Sequence, residues 1–217
     1  METMKINRNI ITPSLIFGAL WGISEATLGF LLHLASRLIL VPSLAGFFMF
    51  PIGVFFMLAA YRTSGSVYAI LLTASIAAAF KFASMIMPSV SPVFVINPAV
   101  SILAEGFAVL LFIFINRYLK DRMLIPKTVL ISVAWRVIFL LAVIILPVPK
   151  GILSKGTVVL LRFLLLEAAV NGLIIGLLMK VKIPWRRASG FLEAVNRPLT
   201  GLLLSTLAVV LTFSLTG

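Results

Sequence analysis

Thr12 to Ser36 reads TPSLIFGALWGISEATLGFLLHLAS, and this stretch decides the fold. Its 25 residues are almost wholly apolar, yet they contain the carboxylate Glu25 and the chain's single histidine, His33. At 100° per residue, Ser14, Gly18, Gly22, Glu25, Ala26, Gly29, His33 and Ser36 fall on one face of a helix. Leu, Ile, Phe and Trp fill the opposite face. Such a helix shows bulk to lipid and turns its small and polar atoms toward other helices.

The same pattern extends along all 217 residues. The chain is 62% hydrophobic and 11% charged, against roughly 25% charged in an ordinary soluble domain. Apolar runs of about 20 residues, enough to cross a ~30 Å hydrocarbon core, recur throughout. They do not alternate as the strands of a membrane barrel would. The expected fold is therefore an all-α integral membrane protein, a single transmembrane domain over 1–217 with six to seven helices. The apolar segments run roughly 11–36, 44–61, 66–87, 94–116, 128–147, 157–179 and 198–216, and the last is the seventh span or a peripheral or re-entrant segment. Between the last two, the basic linker from Lys180 to Pro198 is expected to lie at the headgroups as an amphipathic helix anchored by Trp185 and Phe191. The N-terminal run exceeds the ~7–15 apolar residues of a cleavable signal and contains Glu25, so it is expected to remain as the first span.

The net charge of +12 would point to nucleic acid in a soluble protein, but here most of it falls in short loops. With the N-terminus inside, Lys5, Arg8, Arg62, Arg117, Lys120, Arg122, Lys127, Lys180, Lys182, Arg186, Arg187 and Arg197 lie on the cytoplasmic side. Only Arg37, Lys150 and Lys155 lie outside. Twelve against three is the asymmetry that fixes orientation in the cell membrane, with the N-terminus cytoplasmic and anionic lipid as the partner of the loops.

Six charges remain inside apolar segments: Glu25, Glu105 and Glu167 against Lys81, Arg136 and Arg162. Unpaired, each costs about 2.5–3.5 kcal/mol at the bilayer centre, so together they would consume a protein's whole stability of about 5–15 kcal/mol. They must pair, bind a ligand or sit in a hydrated cavity. Their inferred depths run from mid-membrane outward, which implies a cavity entered from the external face. In the fourth segment Asn97, Ser101, Glu105, Ala108 and Asn116 share a face; in the third Thr73, Ala74, Ala77, Lys81 and Ser84 do. Glu167 lies close to Asn171 on the sixth, whereas Arg162 is about 140° away from Glu167 on an α-helix, so each of that pair is expected to find its partner elsewhere. The candidate solute-binding residues are Glu25, His33, Lys81, Asn97, Glu105, Arg136, Arg162, Glu167 and Asn171. A zwitterion, or an anion held by Arg136 and Arg162, fits this mixture. The competing reading is an ion-pair lattice that holds helix register in a non-catalytic scaffold.

Several chemistries find no support. No stretch reads G-x-x-x-x-G-K-[ST], and no H-E-x-x-H or G-x-S-x-G occurs. The chain has no cysteine, and its one aspartate, Asp121, falls in a loop. Neither an enzyme nor a bound cofactor or metal is expected.

The phrase FGALWGISEATLG, with Gly18, Gly22 and Ala26 in small-xxx-small spacing, together with the length and hydropathy, resembles the substrate-binding S components of energy-coupling-factor transporters. The resemblance covers roughly residues 11–180. It implies a ligand, commonly a water-soluble vitamin or its precursor, held between helices near the outer face. It also implies that Gly18, Gly22 and Ala26 dock a transmembrane coupling subunit, with separate ATPase subunits supplying the energy. The family's Ala-x3-Ala form is Gly-x3-Gly-x3-Ala here, and the seventh segment is additional. Read from the residues alone, the same stripe packs inside the chain's own bundle. The expected function is thus a substrate-binding subunit of an importer, capturing a small polar or charged solute. The alternatives are a self-sufficient proton-coupled transporter or channel, and the scaffold.

Overall fold

The computed structural model describes residues 10–38, 44–83, 85, 92–118, 123–180 and 198–216. Its regular elements are all helical, with no strand among the described residues. Helix α1 comprises Ile11–Ser24, a π-helical turn Glu25–Gly29, and Phe30–Leu38. It is followed by α2 (Leu44–Ser64), α3 (Tyr68–Ala83), α4 (Val93–Tyr118) and α5 (Leu124–Ile145). A short 3₁₀ turn, Gly151–Lys155, leads into α6 (Thr157–Lys180), which has its own π-turn at Arg162–Leu166. Helix α7 (Pro198–Thr216) ends the described chain.

Five of these helices are long and apolar enough to cross a membrane: Ile11–Ser36, Leu44–Ser64, Phe94–Asn116, Leu124–Ile145 and Thr157–Lys180. Helix α3 is shorter than the expected 66–87. Its 16 residues rise about 24 Å at 1.5 Å each, and half of the expected remainder (84, 86 and 87) lies outside the described residues. The expected headgroup helix with Trp185 and Phe191 lies outside them as well.

The helices approach one another through small residues, as lipid-embedded bundles do when apolar burial no longer distinguishes helix from solvent. A Cβ on Gly18 would lie 2.8 Å from Ile76 Cβ, and one on Gly22 would lie 2.6 Å from Phe80 Cδ2, so α1 packs tightly on α3. Gly106 of α4 faces Ala74 of α3, and Gly53 of α2 seats the indole of Trp21. At the α5–α6 seam Gly172 lies on the backbone of Val129, and Thr128 Oγ1 donates to the Gly172 carbonyl at 2.6 Å. Helix α7 lies against α1, with Gly201 on Leu15 and Ile16. The core between these seams is built from Trp21, Phe50, Met57, Ile102, Phe112 and Trp135, all essentially inaccessible. Large apolar side chains such as Leu141, Leu165 and Leu203 cover the outside, the inverse of a soluble protein.

Candidate functional site: a polar-floored cavity at one end of the bundle

The end of α1, the beginnings of α2 and α4, and the link between α5 and α6 meet at one end of the bundle and enclose a cavity of about 490 Å³. This volume falls in the range of small-molecule sites. Sequence order alone brings these elements together, because consecutive antiparallel helices place alternate connections at the same end.

Each polar wall has a local cause. On α4, Asn97, Ser101 and Glu105 are spaced by four residues and stand above one another on one face, and all three line the cavity. Ser101 Oγ donates to Glu105 Oε1 at 3.2 Å, and the other carboxylate oxygen, Oε2, is buried without a hydrogen-bond partner among the described residues. Glu105 is 2% exposed. Pro98 lies between these residues in the cavity wall, in a helix where its missing N–H removes one internal bond. On α1, Glu25 opens the π-turn and Gly29 closes it. A Cβ at Gly29 would sit 2.8 Å from Glu25 Oε2, so this glycine makes the space the carboxylate occupies. His33, one turn further, also lines the cavity and meets the ring of Phe94 edge-on at 6.4 Å.

Aromatic side chains form the remaining wall. Trp135 and Phe139 of α5 and Phe163 of α6 pack ring to ring, with centroids 5.6 Å apart for Trp135–Phe163 and 6.3 Å for Phe139–Phe163. The 3₁₀ turn adds Gly151, Ile152, Ser154 and Lys155. Gly151 has φ +47°, a left-handed conformation suited to glycine, and a Cβ there would strike the Asn97 amide. The turn thus rests directly on α4 at the cavity's edge.

The nine expected binding residues separate into two groups. Glu25, His33, Asn97 and Glu105 line the cavity; Lys81, Arg136, Arg162, Glu167 and Asn171 do not. Lys81 is 8% exposed and acts electrostatically on Glu25, and Glu25 in turn acts on Glu105. Arg136 is fully buried behind the aromatic wall, its guanidinium 4.4 Å from the Trp135 ring centre and 5.1 Å from that of Phe163. There Nη1 donates to the Ser132 carbonyl at 2.8 Å, while the charge is drawn chiefly to Glu167 and secondly to Glu105. Asn171 is fully buried in α6.

One expectation is corrected. Arg162 and Glu167 were to find partners on other elements, yet Arg162 Nε donates to Glu167 Oε1 at 3.2 Å. The π-turn Arg162–Leu166 is responsible, because an i→i+5 turn brings residues five apart onto one face. The stripe on α1 is likewise divided. Gly18 and Gly22 are covered by α3, and Ala26 is 4% exposed, so its small residues pack within this chain.

The sequence reading did not single out Trp135, Phe139, Phe163, Met49 or the Gly151–Lys155 turn. Trp135 and Phe139 are i, i+4 neighbours beside a charged residue, a signal that was present but indistinguishable from ordinary apolar filling. Among the described residues no three His, Asp or Glu side chains converge in a way that could hold a metal ion.

Comparison of the chain with protein-family models, with curated proteins and with solved structures returned no match.

Proposed function

We propose that this chain is the substrate-binding membrane subunit of an importer, a bundle of six to seven spans with its N-terminus in the cytoplasm. The cavity opens at the external face and captures a small polar or charged solute. One observation carries this reading: Glu105, 2% exposed, lines a cavity of about 490 Å³ with one carboxylate oxygen lacking any partner among the described residues. A group held only for helix register would have its hydrogen bonds completed within the bundle, and Arg162 and Glu167 do bond to each other within α6, away from the cavity. An incompletely satisfied carboxylate at the wall of a small-molecule-sized space is the signature of a ligand site. Because the sequence contains no P-loop, uptake would require a coupling subunit and ATPases.

The electrostatic contact of Glu25 with both Lys81 and Glu105 favours a second reading, a proton-coupled transporter that works alone. Solute uptake by proteoliposomes containing this chain only, driven by a proton gradient and lost in Glu105→Gln, would establish it. The importer-subunit reading predicts no such uptake. It predicts instead that some member of a panel of vitamins, nucleobases and amino acids raises the melting temperature of the purified protein. Glu25→Gln should stay folded and lose that response. A protein that no solute stabilises, and that unfolds when Glu25 is replaced, is the scaffold.

A further inference from the structure

The structure assigns this cavity to an organic cation: a solute with a protonated amine or quaternary ammonium on an apolar or aromatic body. The assignment rests on the solute-binding reading above and names the class of solute.

Charge argues first. The charged side chains lining the cavity are Glu25, Glu105 and Lys155. Both carboxylates belong to buried residues of the helices, whereas Lys155 is exposed on the 3₁₀ turn. None of the basic groups of the spans lines the cavity itself. Lys81 faces Glu25, Arg162 is bonded to Glu167, and Arg136 lies behind the rings of Trp135 and Phe163. The lining therefore holds more acidic than basic groups, and a carboxyl group ionised there would attract a cationic ligand and repel an anionic one.

Hydrogen bonding points the same way. Three buried polar atoms of the cavity-lining residues have no partner among the described residues: the acceptors Glu105 Oε2 and Asn97 Oδ1, and the indole donor Trp135 Nε1. The two oxygens on α4 lack a donor, and the indole N–H beside them leaves room for one acceptor atom on the same solute. A carboxylate oxygen is served best by a charged N–H, whose bonds are roughly twice as strong as neutral ones. The wall beside them is aromatic. Phe50, Trp135, Phe139 and Phe163 stack with centroids 5.2 to 6.4 Å apart, and Trp135, Phe139 and Phe163 line the cavity. Aromatic faces take both the body of an apolar cation and, through the ring quadrupole, part of its charge.

The test uses the full-length protein in detergent and three probes of one size: phenethylamine, 2-phenylethanol and phenylacetate. Melting temperature and tryptophan fluorescence are read against probe concentration, since Trp135 lines the cavity. The assignment requires phenethylamine to raise the melting temperature and to change the fluorescence. The neutral and anionic probes should do so weakly or not at all. Glu105→Gln keeps the shape and removes the charge, and should weaken phenethylamine by about ten- to a hundredfold. Equal or preferential response to phenylacetate or 2-phenylethanol overturns the cation and leaves the solute-binding reading standing. Silence toward all three also overturns it, and silence toward the broader solute panel as well removes the binding reading itself. Because selectivity among the three probes is read on the unaltered protein, a Glu105→Gln chain that fails to fold would not obscure the answer.

Discussion

The guanidinium Nε of Arg162 donates to the Glu167 carboxylate at 3.2 Å across five residues of the same helix. Only a π-turn permits this. Glu167 is 6% exposed and also attracts the buried Arg136, so a single carboxylate serves two cations. Glu167→Ala should therefore destabilise the bundle by about 3–5 kcal/mol, because it strands buried positive charge. Arg162→Met should cost clearly less, because its side chain is 36% exposed and Glu167 keeps Arg136. Denaturant or thermal unfolding in detergent checks the order; equal losses would refute it.

Much of the site on α4 could be read in advance, because a regular α-helix turns spacing directly into faces. Asn97, Ser101 and Glu105 were placed on one face and do line one cavity. The faces of α1 and α6 were harder to read. Each contains a π-turn, at Glu25–Gly29 and Arg162–Leu166, and one such turn shifts the later residues relative to the 100° wheel. Nothing in EATLG or RFLLL marks the extra residue, since its stability comes from packing rather than propensity. The aromatic wall was hidden for another reason. In a chain that is 62% hydrophobic, a cavity-lining Phe163 and a lipid-facing Phe107 look alike in the sequence, and only tertiary packing separates them.

The small-residue seams predict a graded response to adding one methyl group. At Gly172 a Cβ would meet the backbone of Val129, which has nowhere to move. At Gly18 it would lie 2.8 Å from Ile76 Cβ and 3.0 Å from the Thr73 carbonyl, and at Gly22 2.6 Å from the Phe80 ring and 3.1 Å from Phe80 Cβ. Overpacking costs about 1–3 kcal/mol, set against about 1 kcal/mol gained in helix propensity. Gly172→Ala should lose the most stability, and Gly18→Ala and Gly22→Ala less. Unfolding midpoints of the three variants give the ranking.

Lys127 was expected in a loop, and it instead lies inside α5 at 3% exposure, with Nζ donating to Asn116 Oδ1 of α4 at 2.9 Å. The bond ties two neighbouring helices near the end remote from the cavity. Asn116→Leu removes the acceptor and leaves a buried ammonium less well satisfied, a loss of about 1–3 kcal/mol. Since Asn116 is far along α4 from Glu105, solute affinity should be unchanged. Melting temperature and a binding titration on the same preparation separate the two effects; a parallel fall in affinity would show that the two ends are coupled.

The cysteine-free chain makes the proposed orientation directly measurable. Ser154 is exposed on the 3₁₀ turn at the cavity edge, and Ser66 follows the α2–α3 turn, where Gly65 adopts φ +71°. One helix, α2, separates the end carrying Ser66 from the end carrying the cavity. In intact cells a membrane-impermeant maleimide should label Ser154→Cys, while Ser66→Cys should react only after permeabilisation. The reverse pattern would put the cavity in the cytoplasm and end the importer reading, whatever the cavity binds. The label also reports occupancy. Because Ser154 lines the cavity, a bound solute should slow its modification, whereas the rate at Ser66→Cys in permeabilised cells should not change. Protection confined to position 154 would tie the accessible face and the solute site to the same end of the bundle.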